Sequence, residues 1–137
     1  MTFVWSRAAA EICRGEDFLG EIWNPAPGLL VTRIHGRASV ACLRFYARRA
    51  EREMGAGKLT VFHDWEALES YDAEARDGLK SWAKAQGDVF GPVHYLVRSK
   101  VISMLVSVAA LTLGRDLHAT TDRAAFLADL ERALGSR

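Results

Sequence analysis

The sequence predicts a single α/β domain with a mixed, mostly parallel sheet of about five strands, four main helices and an N-terminal β-hairpin. Three observations point there. Apolar runs of strand length alternate along the chain with stretches whose apolar residues recur every three or four positions. That alternation implies right-handed crossovers between parallel strands. Asn24-Pro25-Ala26-Pro27-Gly28 separates the first two apolar runs, and a Pro-Gly pair of this kind turns a chain sharply. The 137 residues, 50% hydrophobic and 26% charged, suit one soluble domain with one core, spanning 1–137.

Residues 1–15 read as an extension in which Thr2–Trp5 fits a strand and Ala8–Cys13 a helical turn ending at Gly15. Phe18–Trp23 and Leu29–Ile34 are the two strands of the opening hairpin. His35-Gly36-Arg37 is expected to turn the chain into a first helix, whose apolar face is Val40, Leu43, Ala47, Ala50 and Met54. Gly55-Ala56-Gly57 ends it. Leu59–Phe62 is a central strand, followed by a polar, aromatic loop from His63 to Asp72. Asp72 suits the N-cap of a second helix, with Glu74 favourable in its first turn and Ala75, Leu79, Trp82 and Ala83 facing inward. Val93–Val97 is a further core strand, Val101–Leu113 an apolar helix, and Leu117–Thr120 a short edge strand. Thr121 or Asp122 caps a last helix whose inner face is Phe126, Leu127, Leu130, Ala133 and Leu134.

A net charge of +1 gives no global reason to expect nucleic acid or a membrane surface as partner. Cys13 and Cys42, far apart and without CxxC spacing, read as buried or free thiols, with no zinc site. No charged and apolar leader opens the chain, and the most apolar run is thirteen residues, too short for a bilayer. A cytoplasmic protein without a transmembrane segment is expected.

Groups that could do chemistry gather after the central strand. His63 beside Asp64, with Trp65, Tyr71 and Asp72 close by, allows an acid–base pair in which Asp64 or Asp72 orients His63. Adjacent strand residues point to opposite faces, however, and no nucleophile or glycine-rich oxyanion loop accompanies them. Asp64–Asp77 holds six acidic residues against Arg76, a balance of −5 that matches no metal-ligand spacing and reads as a solvated or partner-docking face. Arg44, Arg48 and Arg52 form one stripe on the first helix, with Arg49 beside it, as an ordinary solvated face or a contact for an acidic partner. Arg98 and Lys100, following His94, could pair with Asp64 or Asp72, or receive an anion. The Val101–Leu113 helix is apolar nearly all round, with Val101, Leu105, Val108 and Leu113 spread over it, so it needs cover on both sides. A dimer, another protein or a membrane surface would give that cover.

In element order and in three stretches, LTVFHDWEALESYDAEAR, HYLVRSKVISMLVSVAALTLG and TDRAAF, the chain resembles the STAS domain, and most closely its SpoIIAA-like bacterial members. The resemblance covers roughly Leu29–Leu134. It implies a regulatory protein-interaction module. In the regulatory members a serine after an aspartate, at the start of the helix that follows the central strand, is phosphorylated to switch partner binding. Here that place reads Tyr71-Asp72-Ala73-Glu74, with alanine at the serine's position and Ser70 three residues earlier. The expectation is therefore a non-enzymatic module without the serine switch, needing no cofactor or metal, that meets a protein partner or a second copy. Two alternatives stand beside it: an anion-binding crevice lined by His63, Asp64, Arg98 and Lys100, and an enzyme built on His63.

Overall fold

The computed structural model describes residues 10–54, 58–85, 90–100 and 116–135. Seven strands form one sheet: β1 (Glu11–Arg14), β2 (Phe18–Ala26), β3 (Leu29–Ala38), β4 (Leu59–Asp64), β5 (Leu68–Tyr71), β6 (Phe90–Leu96) and β7 (Leu117–Thr120). Three helices are described: α1 (Val40–Met54), α2 (Ala73–Ala85) and α3 (Arg123–Gly135). The strand order is β1-β2-β3-β4-β6-β7, and β5 also pairs with β3.

The sheet is mixed, as the alternation implied, but its antiparallel part is larger than a hairpin. β1, β2 and β3 form an antiparallel meander, and β4, β5, β6 and β7 join in parallel. The expected five strands thus become seven, and the sheet is not mostly parallel. Both additional strands are short: Glu11–Arg14, where a helical turn was expected, and Leu68–Tyr71, where a loop was expected. Each has four residues, with outward-facing side chains that leave little alternation to read. The Val101–Leu113 helix and the Thr2–Trp5 strand lie outside the described residues.

β3 is the longest of the described strands, and the first crossover, through α1 to β4, starts from it. It pairs with β2 along one edge, while β4 takes Leu29–Arg33 and β5 takes Gly36–Ala38 on the other. It does not turn at His35-Gly36-Arg37 as expected. Gly36 has φ +86°, and the ladder shifts register there. A Cβ at Gly36 would collide with the Asp17 carbonyl oxygen, so only glycine fits this bulge. At the other end Pro27-Gly28 closes the hairpin, with Gly28 at φ 76° as a Pro-Gly turn demands.

Alternation along the central strands assigns each side chain a face. Leu30, Ile34, Val61 and Val93 point to the side covered by α1 and α2, where Cys42, Leu43, Tyr46 and Ala75 meet them. Leu29, Val31, Phe62 and Leu96 point to the other side and pack with Trp23 against Phe126 and Leu130 of α3. Of the expected inner face of α1, Leu43 and Ala50 are buried with Val40 packed against them, while Ala47 lines a groove. Cys42 and Tyr46 are further buried members, and Phe126, Leu127, Leu130, Ala133 and Leu134 of α3 pack inward as expected. The Ser39 hydroxyl accepts from the Cys42 amide at 3.3 Å and caps α1. Asp122 caps α3, accepting from the amides of Ala124 and Ala125 at 3.0 and 3.3 Å. Both thiols are free; Cys42 is buried, and desolvation raises it to about 12.

Candidate functional site

β4 sends His63 and Asp64 to opposite sides of the sheet. On the α1/α2 side, Nδ1 of His63 lies 2.7 Å from Oγ1 of Thr32, the residue beside it on β3. The indole N–H of Trp65 donates to the same oxygen at 3.2 Å. The Thr32 hydroxyl can accept from Trp65 and still donate its own proton to Nδ1 when the imidazole proton sits on Nε2. The rings of Trp65 and Tyr95 stand 4.5 and 4.9 Å from the imidazole. Burial holds His63 down at about 3 and lifts the Tyr95 phenol to about 12. Both are held in their neutral forms over a wide pH range.

Asp64 is 2% exposed on the α3 side and is held by two arginines. Arg33 Nε donates to Oδ2 at 3.2 Å, and Arg123 reaches both carboxylate oxygens at 3.0 and 3.2 Å. Arg123 also binds the Glu66 carboxylate at 3.0–3.1 Å. Burial opposes the charge on Arg123, but Asp64 and Glu66 outweigh it and raise its pKa. Arg98 donates to the Glu66 carbonyl at 3.2 Å, and Lys100 is exposed at the end of the same segment.

The carboxylate of Asp72 accepts from Arg37, from Nε at 2.7 Å and from the adjacent guanidinium nitrogen. This hydrogen bond, and then the charge of Asp72, raise the Arg37 pKa. The structure therefore brings His63, Trp65, Thr32 and Tyr95 together. It puts Asp64 on the opposite face with Arg33 and Arg123, and Asp72 at the surface with Arg37. The His63–Asp64 pair written side by side in the sequence is not a dyad in space. Of the two cations expected to receive an anion, Arg98 donates to a backbone carbonyl, and Asp64, expected beside them, is held instead by Arg33 and Arg123.

What the sheet leaves outside is the corner where β5 runs into α2. Tyr71 is 43% exposed there, next to the Arg37–Asp72 pair, with Ser70 also exposed. An open groove of about 340 Å³ lies between α1 and α2. Val40, Leu43 and Ala47 face Ala75 and Gly78 across it, and Trp82 lines it toward the C-terminal end of α2. Trp82 is held by its indole N–H, which donates to Glu51 of α1 at 2.7 Å. Arg44 and Glu74 stand on the two rims. Of the α1 arginines, Arg49 binds Glu11 at 2.8 Å and also Glu53, and Arg52 binds Glu11 at 2.9 Å, so these two tie the helix to β1. Arg44 and Arg48 face outward. Val101, Leu105, Val108 and Leu113 lie outside the described residues.

Thr32, Arg33, Arg123 and Gly78 were not singled out from sequence, yet three of them carry a signal. Thr32 and Arg33 interrupt the apolar run Leu29–Ile34, and a buried polar group implies a partner. Arg123 begins a helix, where a cation opposes the helix dipole unless a carboxylate holds it.

No family model and no curated protein matches the sequence. Among solved structures the chain is similar to an uncharacterized protein of the DUF3478 family, with a SpoIIAA-like fold, from Shewanella loihica PV-4. The two share 13% identity over 87% of this chain and 90% of that one, with a TM-score of 0.63. Among the described residues no helix is long and apolar enough to cross a membrane, and no group of three potential metal ligands converges. The strand order, the helices on both faces and this likeness agree with the resemblance read from sequence: the chain has a SpoIIAA-like fold.

Proposed function

We propose that the chain is a non-enzymatic protein-interaction module that works through the β5–α2 corner and the groove beside it. The observation that carries this reading is the open, largely apolar α1–α2 groove, together with exposed Tyr71 two residues before α2 begins. A large exposed aromatic beside a preformed apolar groove is the kind of anchor and pocket that protein contacts use. The groups that could turn over a substrate are engaged elsewhere: His63 with Thr32 inside the sheet, Asp64 between two arginines.

Ala73 at the start of α2 carries no hydroxyl, so contact here is set by concentration and affinity, without a phosphoserine at that position. Asp72, Arg98 and Lys100 belong to the proposed contact region. The stretch Val101–Leu113 remains part of the proposal on its apolar sequence alone.

Photo-crosslinking in cells tests this. With a benzophenone side chain at Tyr71, irradiation should give a discrete protein adduct, and the same group at Ala124 on the α3 side should not. Absence of any adduct at Tyr71, or identical adducts from both sites, would remove the corner as the contact surface.

A further inference from the structure

The α1–α2 face is complementary to itself. α1 and α2 each lead from one strand to the next parallel one, so they run in the same direction. Arg44 and Glu74 both line the groove; Ala38 and Tyr71 are register partners and each helix starts two residues later, so the two charges lie within about one helical turn of each other along the groove. Both are exposed, and neither has an ion-pair partner among the described residues. Arg48, one turn further along α1, is exposed as well. A two-fold axis lying along the groove lays α1 of each copy over α2 of the other. That single operation sets Arg44 against Glu74 of the second copy twice, once on each side of the axis.

Gly78 gives an independent reason to expect a close neighbour. It lies in the middle of α2, where glycine costs about 1 kcal/mol relative to alanine. Nothing in the described structure explains that choice, because a Cβ built there meets no atom within 4 Å. A helix approaching from outside would need the space. The Tyr71 corner and the two helices together present a face of about 20 by 25 Å, or on the order of 1,000 Å² buried over two copies, which is the size of a weak, reversible dimer.

We infer that the groove between α1 and α2 is the interface of a homodimer, with Arg44 of each copy paired to Glu74 of the other and the helices meeting over Gly78. The inference rests on the reading of this face as a contact surface and names its occupant as a second copy of the chain.

Sedimentation equilibrium over a concentration series tests it with the purified chain. The wild type should associate reversibly to a dimer that added salt weakens. Arg44→Glu and Glu74→Arg should each weaken the dimer by at least about tenfold, since each sets like charges together twice. An equimolar mixture of the two should associate, because each copy then offers the charge the other lacks, and the chain carrying both reversals should recover the wild-type constant. Gly78→Leu should melt no lower than wild type and stay monomeric. A wild type that remains monomeric throughout, a dimer indifferent to both reversals, or a mixture that fails to associate would each overturn the inference. Monomeric wild type with a Tyr71 adduct to a different protein would remove the homodimer and leave the interaction module standing.

Discussion

Half-buried beside Trp65 and Tyr95, His63 has little water to solvate a charge, and its partner Thr32 is neutral. Its pKa drops to about 3, and that of His94 to about 4, by burial first and then by the neighbouring His118. The sign of the pH effect follows directly. Below about 6.5 the unfolded chain protonates these histidines while the folded chain does not, so acid favours unfolding. Stability is full above about pH 6.5 and falls, by up to about 1.4 kcal/mol per pH unit for each histidine, as pH drops toward the folded values. Urea midpoints measured from neutral to mildly acidic pH should therefore decline, and His63→Gln should decline less steeply than wild type. At this scale the sequence shows the chemistry of a residue but not its company. His63 and Asp64 were visible as neighbours, while the period of two that separates them gives His63 to Thr32 and Asp64 to Arg33.

Elements were legible where their pattern is long. The three-and-four spacing marks α1 and α3, and apolar runs mark β2, β3, β4 and β6. Their ends were less so, because glycine in a sequence signals either a turn or a bulge. At Gly36 it is a bulge: β3 continues to Ala38 and creates the edge that β5 occupies. Gly36→Ala should cost about 2–3 kcal/mol, from a strained φ together with collision at the Asp17 carbonyl. Chemical denaturation followed by circular dichroism would read it. A loss near zero would mean that the bulge relaxes at no cost. β1 and β5 escaped sequence reading for a different reason: four residues with little buried surface carry too little periodicity to outweigh the polar composition around them.

At the level of the whole molecule, Asp64 fastens three elements at once: β4, which carries it, β3 through Arg33 and α3 through Arg123. Its partner on α3 is 59 positions away in sequence, a distance over which no local pattern can reveal a pair. Asp64→Ala removes the buried carboxylate that Arg33 and Arg123 share, and with it both charge-assisted contacts. A loss of about 3 kcal/mol or more is expected in denaturant titration, with little change in the far-ultraviolet spectrum of the folded state. A loss below about 1 kcal/mol would mean that solvent replaces the lost carboxylate. The order of elements and the division of the sheet into two faces were within reach of the sequence, since both follow from local periodicity. The charge pairing that locks the faces together was not.

The tether between Trp82 and Glu51 gives the molecule an optical property as well. Trp23 lies in the core under α3, and Trp65 is hydrogen-bonded over Thr32, while Trp82 alone among the described tryptophans lines the groove. An indole in that position changes surroundings when the groove is covered. The emission of this one side chain thus makes the α1–α2 face a natural fluorescent indicator of its own occupancy, with no label attached.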